Sequence, residues 1–472
     1  MKPLRLAAVA LFAATLGAQS PADLKFPPLA PVRIPHVETY TLANGLRIYL
    51  LEDHELPLVN GLALVRTGNL FDPPDKVGLA SLTGTVIRTG GAEARTGDEL
   101  DEDLENIAAE VESSIDETSG EVTFSALSAD VDRVLPIFRD ILTAPAFRQE
   151  RIDLAKSQLR DQIARRNDDP EAIAGREFAN LVYDKDTPYG RQIEYATLAR
   201  IERADLVAFY RRHFFPANVM LAVYGDFSAP AMKQKIEALF GSWNRSQPPV
   251  PDFPAVRRTP RPGVYLAVKE DVNQTVFALG QLGGTLRDKD EPALEIMADI
   301  LGGGFSSRLF KRLRTQLGYV YGIDADWAAA YDHPGLFEIG GSTKSETTEP
   351  AIAVVLQEMD RIRASEVTAE ELETAKQTSL NSFVFHFDTP EKTLARLLRY
   401  RYYGYPDDFI FEYRKALEAV TQADVIRVAR QYLDPAAFTV VAVGNPHDFG
   451  KPLSDLGLEV HPLDLTIPSP PH

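Results

Sequence analysis

The chain has 472 residues, of which 44% are hydrophobic and 25% are charged, a composition typical of a folded globular protein. Its length exceeds the roughly 250–300 residues at which a single hydrophobic core stops growing, so we expect at least two domains. The net charge of −18 argues against nucleic acid as a partner, because an acidic surface repels phosphate. The absence of cysteine excludes disulfides and thiolate metal sites.

The N-terminal segment, 1–20, has the layout of a signal peptide. Lys2 and Arg5 precede an apolar run from Leu6 to Leu16, and small and polar residues at 17–20 offer a cleavage region. A short buried helix or a membrane anchor is the alternative, but the run is too short to span a bilayer. No cysteine is present for lipid attachment. We therefore expect a periplasmic or secreted protein that does not contact the membrane once the signal is removed.

Each half of the chain opens with strand-like segments and continues with long amphipathic helices. The predicted strands cover 45–51, 59–66, 263–268 and 276–282. Helical patterns at 150–167 and 369–385 interrupt the strands irregularly, which favours an α+β fold over a strictly alternating parallel one. Between the halves, residues 244–263 contain six prolines and no apolar periodicity, which predicts a stiff linker.

The two halves repeat one another at a nearly fixed register. The segments ADLVAFYRRHFFPANVMLAVYGD, from Ala204, and ADVIRVARQYLDPAAFTVVAVGN, from Ala423, carry Ala-Asp, Pro and Gly at the same spacing. Each predicts a capped helix, a turn at proline and a β-branched strand closed by glycine. Upstream, Asp169-Pro170 is matched by Thr389-Pro390, with the register shifted by a single position. This self-similarity predicts two copies of one domain.

The segment GNLFDPPDKVGLASLTGTVIRTGG, from Gly68 to Gly91, resembles the opening helix of the pitrilysin-type (insulinase-like) zinc peptidases. In active members of that family, the stretch after Gly-Leu-Ala carries His-x-x-Glu-His, which provides two zinc ligands and a general base. Here the same register reads Ser81-Leu82-Thr83-Gly84-Thr85. The family's third ligand, a glutamate on a later helix, is matched by Gln162.

These replacements predict that the chain holds no zinc. The two hydroxyls and the amide of Ser81, Thr85 and Gln162 offer neither the imidazole nor the carboxylate that zinc prefers, and Gly84 offers no base. A misaligned helix is the alternative. However, none of the eight histidines stands in a His-x-x-Glu-His or His-x-x-x-His arrangement.

The segment LGGGFSSRLFKRLRTQLGYVY, residues 301–321, resembles the most recognisable stretch of the family's second, zinc-free domain. In the family, the residues that match Arg314 and Tyr321 reach toward the zinc site, bind the scissile peptide and stabilise the charge on its carbonyl oxygen. The alternative interpretation is an ordinary surface ion pair for Arg314 and a core position for Tyr321.

The glycine run at the start of this segment is predicted to be a substrate-facing turn or a hinge. A nucleotide-binding loop is the alternative, but no lysine follows in the required pattern and no strand precedes the run. The residues expected to contact substrate are Gly302, Gly303 and Gly304. We further expect Ser306 to cap a helix that ends at Gly318. One apolar face of that helix is formed by Leu309, Phe310, Leu313 and Leu317.

The resemblance covers residues 36–450 and implies an α+β protein of two homologous α/β-roll domains, like those of mitochondrial processing peptidase, joined by the proline-rich linker. The predicted divisions are a signal peptide at 1–20, a first domain with a degenerate zinc site at 36–243, a linker at 244–263 and a second domain with the Arg/Tyr pair at 264–450.

The resemblance also implies a function, that of the non-catalytic subunit of a heterodimeric zinc metallopeptidase. A homologous zinc-bearing subunit is the implied partner, peptides are the implied substrates, and this chain contributes Arg314 and Tyr321 in trans while it is inactive alone. Two alternatives stay open: a structural scaffold subunit of a larger assembly, and a homodimer that binds peptides without cutting them.

Overall fold

The computed structural model describes residues 36–257, 259–386 and 389–470. The predicted signal peptide, 1–20, lies outside the described residues. Among the residues that are described, no helix is both long and apolar enough to cross a bilayer.

The first half of the described chain builds a six-stranded sheet in which buried and less buried side chains alternate along most strands. The strands are β1 (Glu38–Thr41), β2 (Arg47–Glu52), β3 (Leu58–Arg66), β4 (Glu110–Ile115), β5 (Ser119–Leu127) and β6 (Val219–Gly225). Their order is β1-β2-β6-β3-β5-β4, so β4 lies at an edge. Almost all residues of the central strand β6 are buried, because apolar side chains pack against both faces of the sheet at this strand.

The second half of the described chain builds another six-stranded sheet. Its strands are β7 (Gly263–Val268), β8 (Gln274–Leu282), β9 (Val320–Ala328), β10 (Leu336–Lys344), β11 (Thr439–Gly444) and β12 (Val460–Pro462). Their order is β12-β7-β11-β8-β10-β9, so β9 lies at an edge.

The two sheets share one topology, which confirms the predicted duplication. Each sheet contains one parallel pair of long strands, β2 with β6 in the first sheet and β7 with β11 in the second. The next long strand on the other side of β6 or β11 pairs antiparallel with it, β3 in the first sheet and β8 in the second. Only the outermost strands differ: β1 pairs antiparallel with β2, whereas β12 arrives from the C-terminus and pairs parallel with β7. The predicted strands at 59–66 and 263–268 agree with β3 and β7 to within one residue.

Fourteen α-helices of the described residues complete the two halves. Those of the first half are α1 (Leu79–Thr89), α2 (Gly97–Glu105), α3 (Val131–Thr143), α4 (Gln149–Arg165), α5 (Pro170–Tyr183), α6 (Tyr195–Ala199), α7 (Arg203–His213) and α8 (Ala229–Phe240). Those of the second half are α9 (Glu291–Gly302), α10 (Thr348–Ala364), α11 (Ala369–Ser382), α12 (Pro390–Tyr403), α13 (Phe409–Ala419) and α14 (Gln422–Tyr432). The mixture of helices with largely antiparallel sheets confirms the predicted α+β class.

The halves exchange one helix each. Most helices of a half pack with the inner face of their own sheet and form its core. The outer face of the first sheet instead packs against Leu394 and Leu398 of α12. In return, Ile173 and Phe178 of α5 pack against the outer face of the second sheet. Because each exchanged helix buries apolar surface of the other half, the two halves stabilise one another.

The described residues of the predicted linker, 244–263, form no helix, and only Gly263 belongs to a strand. Arg212 of α7 donates to the carbonyls of Pro248 and Pro249, each at 2.9 Å. This part of the chain is therefore held against the first half.

A buried glutamate on α9, Glu291, makes the second half sensitive to alkaline pH. The hydroxyl of Tyr413 donates to Glu295 and lies 3.4 Å from Oε1 of Glu291. Burial, together with the charge of Glu295, raises the pKa of Glu291 from 4.5 to about 9. Because the folded state binds this proton more tightly than the unfolded chain, the stabilisation is complete below about pH 4.5 and is lost as the pH rises toward 9.

Glu291→Gln is expected to remove this dependence, because glutamine has a similar size and is neutral at every pH. At pH 8.5 the variant should be more stable than the wild type by about 2 kcal/mol or more, and at pH 4.5 the difference should fall to near zero. Urea unfolding at both pH values measures the effect, with Glu366→Gln at an exposed position as the control. Equal differences at the two pH values would contradict a protonated Glu291.

Candidate functional site

The segment from Gly68 to Gly91 places α1 against the edge strand β4. The N-terminus of α1 is held by Asp72, which accepts from the amides of Gly78 and Ala80, each at 2.8 Å. Burial raises the pKa of the Asp72 carboxyl to about 6. These bonds fix the register of α1, and with it the positions of the residues aligned with the zinc motif.

Two of the replacing residues lie one turn apart on α1. Ser81 is half-buried and Thr85 is exposed, and the Thr85 hydroxyl donates to the Ser81 carbonyl at 3.1 Å. Gln162 is exposed on α4, which packs against α1. The three side chains therefore present two hydroxyls and an amide, and no anionic group.

Gly84 lies where α1 approaches β4 most closely. A Cβ atom at this position would overlap the backbone nitrogen of Ile115 and would lie 2.8 Å from the carbonyl carbon of Ser114. The Gly84 carbonyl accepts from the Ser113 hydroxyl at 2.6 Å. The helix is therefore fastened to the strand at a spacing that only glycine permits.

The glycine run of the second half begins with a counterpart of Gly84. Gly302 ends α9, and a Cβ atom there would lie 2.7 Å from the carbonyl carbon of Asp324 on the edge strand β9. Gly303 and Gly304 form the turn that follows. Gly304 has a φ of +111°, a backbone conformation that glycine adopts more readily than other residues, and the space around it is open.

The helix after this turn differs from the predicted one. Its main part is a π-helical segment, Phe310–Gln316, and Ser307, not Ser306, accepts from the Phe310 amide, at 3.4 Å. The prediction of Ser306 as the cap is therefore wrong. The physical reason is that Ser306 belongs to the preceding turn. That turn is closed by a hydrogen bond from the Ser307 amide to the Gly304 carbonyl at 3.0 Å, so the helix begins one residue later than predicted. Gly318 follows the segment in the left-handed conformation.

Arg314 and Tyr321 stand side by side. The guanidinium carbon of Arg314 lies 4.7 Å from the centre of the Tyr321 ring and 4.9 Å from that of Phe310. Tyr321 is 81% exposed, and Arg314 is half-buried. In the described part of the chain, Arg314 makes no hydrogen bond or ion pair. The alternative interpretation of an ion-paired arginine and a core tyrosine therefore does not describe this pair.

Two family models match the chain. The model of the insulinase family, peptidase family M16, matches residues 50–196, and that of the peptidase M16 inactive domain matches residues 200–379. The chain belongs to the insulinase (M16) family. The first match includes Gly84, and the second includes Arg314 and Tyr321.

Relatives of this M16 chain span most of its length. It is 26% identical over 341 residues to an uncharacterized zinc protease of Rickettsia bellii, covering 71% of this chain and 80% of that one. It is 23% identical over 451 residues to the mitochondrial-processing peptidase subunit alpha of Solanum tuberosum, covering 90% and 85%.

The solved structures that share the fold include the following two. A peptidase M16 inactive domain from Pseudomonas fluorescens superposes with a TM-score of 0.76 at 21% identity, covering 87% of this chain and 98% of that one. A protease from Helicobacter pylori superposes with a TM-score of 0.77 at 17% identity, covering 87% and 100%.

The side chains of this M16 member at the positions aligned with the zinc motif do not suit a zinc ion. Ser81, Thr85 and Gln162 supply no charge to a cation, and the packing of Gly84 leaves no room for a base. Across residues 36–257, 259–386 and 389–470, no three His, Asp or Glu side chains form a group that could hold a metal ion.

Sequence reasoning missed the ion pair that fixes the glycine turn of this M16 chain. Arg308 donates through Nε to Oε1 of Glu371 at 2.7 Å and through Nη2 to Oε2 at 2.9 Å. These bonds hold the pKa of Glu371 down to about 2. Glu371 also completes the capping box with Thr368 at the start of α11. The partners are 63 residues apart, so no local pattern pointed to the pair.

A cavity of about 610 Å³ lies on the outer face of the first sheet beside α12. Its wall includes Glu110, Glu112 and Glu121, and burial raises the pKa of Glu112 and of Glu121. Neither Arg314 nor Tyr321 lines it, so this acidic cavity is separate from the Arg/Tyr pair.

Proposed function

We propose that this chain is the non-catalytic subunit of an exported heterodimeric zinc metallopeptidase, with a homologous zinc-bearing subunit as its partner and peptides as its substrates. The observation that carries the proposal is the contrast between the halves. At Gly84, the place of a general base is filled by the backbone of β4, whereas the Arg314–Tyr321 pair has polar groups free for a ligand. The chain has lost the groups that cut a peptide and has kept groups that hold one.

The retained pair suits a peptide carbonyl. The Arg314 guanidinium presents N–H donors in a fixed fork, and the rings of Phe310 and Tyr321 flank it. The Tyr321 hydroxyl adds a neutral donor. These groups donate to the carbonyl oxygen of a bound peptide, and their bonds strengthen as negative charge develops on that oxygen during hydrolysis.

The comparisons support a subunit role. The Solanum tuberosum relative, which aligns with 90% of this chain, is named as subunit alpha of a peptidase. The Pseudomonas fluorescens structure, which has the same fold, is named as an M16 inactive domain. Both descriptions suit a chain that works beside a catalytic one.

The isolated chain is expected to contain no stoichiometric zinc and to hydrolyse no peptide, because uncharged side chains do not hold the ion against dialysis. Metal analysis after dialysis into zinc-free buffer measures this, together with a peptidase assay with and without a chelator. One tightly held zinc per chain, or chelator-sensitive hydrolysis, would contradict the alignment of Ser81, Thr85 and Gln162 with the zinc ligands and show that other residues bind the ion.

Reconstitution tests the proposal. Mixed with an M16 chain from the same organism that carries an intact His-x-x-Glu-His motif, this chain is expected to produce peptidase activity that neither chain shows alone. A stable complex without any gain in activity would favour the scaffold interpretation. Peptide binding by a dimer of this chain, without any zinc-bearing partner, would favour the non-hydrolytic homodimer.

A further inference from the structure

Phe305 occupies the tip of the glycine turn, and its side chain is 79% exposed. Burial of a phenylalanine ring contributes strongly to the stability of a fold, and because the Phe305 ring is mostly exposed it makes little of this contribution. The fold gives this ring an edge contact with Phe310 but little burial, whereas a ligand that covers the ring would bury it.

Phe305 continues the row of side chains that includes the Arg/Tyr pair. Its ring centre lies 4.9 Å from that of Phe310, with the two planes at 83°. The ring of Phe310 lies 4.9 Å from the Arg314 guanidinium, which in turn lies 4.7 Å from the ring of Tyr321. We call these four side chains the aromatic row: two exposed rings at the ends, with a half-buried ring and an unpaired cation between them.

The base of the turn is fixed. The two hydrogen bonds between Arg308 and Glu371 tie it to the start of α11, and Ser307 is buried. Leu309, directly after Arg308, is fully buried in the second core. The ring of Phe305 is thus presented from a held segment, which lowers the entropic cost of binding to it.

We propose that Phe305 is a specificity-determining residue of the peptide site, and that it receives an aromatic side chain of the peptide near the carbonyl bound by Arg314. The inference rests on the proposed function of the Arg314–Tyr321 pair. The Phe305 ring centre is no more than about 10 Å from the Arg314 guanidinium, and an extended peptide advances about 3.3 Å per residue. The selected side chain therefore lies within about three residues of that carbonyl.

The chemistry of the aromatic row favours this occupant. An unpaired guanidinium between rings complements a peptide backbone, whose carbonyl oxygens accept its donors. The exposed ring of Phe305 complements a second ring in an edge-to-face or offset arrangement. A segment that combines both features is an extended peptide with an aromatic residue.

The test uses fluorescein-labelled decapeptides of Gly, Ser and Ala that carry either Phe or Ala at one central position. The full chain is titrated into each labelled peptide, and binding is followed by fluorescence anisotropy. The Phe peptide is expected to bind about tenfold more tightly than the Ala peptide. Phe305→Ala should reduce this preference to within about twofold, and Phe305→Tyr should keep it, because the ring remains. Phe385→Ala, at a second phenylalanine of this half that is 64% exposed, is the matched control and should keep the preference.

Arg314→Ala separates the inference from the proposed function. It is expected to weaken both peptides by a similar factor, because its donors bind the backbone that the peptides share. If Phe305→Ala leaves the preference intact or weakens both peptides equally, or if the wild type shows no preference, the role of Phe305 is overturned. If Arg314→Ala changes neither affinity while Phe305→Ala removes the preference, the proposed function of the Arg/Tyr pair fails and the aromatic subsite stands. Circular dichroism of each variant checks the fold.

Discussion

Arg314→Ala is expected to lower the turnover of the reconstituted peptidase by about 10²–10³-fold while the two chains stay assembled. Within the described residues the guanidinium contacts the rings of Phe310 and Tyr321 but makes no hydrogen bond or ion pair, so its removal breaks no ion pair of the fold. What it removes is a fixed donor to the oxygen on which charge develops. Because that charge is largest in the transition state, the defect should appear in kcat more than in KM.

Tyr321→Phe is the sharper variant, because it deletes one hydroxyl and keeps the ring that flanks Arg314. It should also lower kcat, and Arg312→Ala serves as the control. Arg312 lies on the same helical segment and bonds to Gln316 instead of joining the aromatic row. Initial rates at saturating peptide, together with size-exclusion chromatography of the complex, measure these effects. Wild-type rates for both Arg314→Ala and Tyr321→Phe would make the pair structural and the scaffold interpretation the better one.

Gly84→Glu is expected to destabilise the chain by at least about 3 kcal/mol. The Cβ of any side chain at this position meets the backbone of Ile115 and Ser114, which does not move aside as the end of a flexible side chain would. Helix α1 would have to withdraw from β4, although Leu82 and Val86 of the same helix are fully buried in the first core. The new carboxylate would also be placed at a buried position.

Thr85→Glu is the matched control, because it places the same side chain one residue later at an exposed position. Its effect should stay within about 0.5 kcal/mol. Urea unfolding at neutral pH measures both variants, and a Gly84→Glu chain as stable as the control would contradict the close contact of α1 with β4. The variant that combines Ser81→His, Gly84→Glu, Thr85→His and Gln162→Glu should for the same reason recover little turnover, since a strained helix does not position ligands.

The family, the duplication and the absence of the zinc motif from its expected register could all be predicted from the sequence. The matching segments that begin at Ala204 and Ala423 correspond to two sheets of one topology, and the predicted strand at 263–268 is β7. Such features follow from neighbours along the chain: alternation along a strand, the periodicity of a helix, a capping residue or a motif. The wrong cap, Ser306, marks the limit of this reasoning. Three consecutive glycines allow turns of different lengths, so the local sequence does not show whether Ser306 or Ser307 begins the helix.

Which of these residues are exposed and unpaired follows only from the three-dimensional packing of the chain. Gly84 reads in the sequence as a missing base, and only its contact with Ile115 shows that no base fits. The pairing of Arg308 with Glu371 depends on the docking of α11, 63 residues away. Whether Arg314 forms an ion pair likewise depends on which carboxylates the fold brings near it. Burial, close approach and ion pairing arise between segments that are distant in the chain, so no local pattern encodes them.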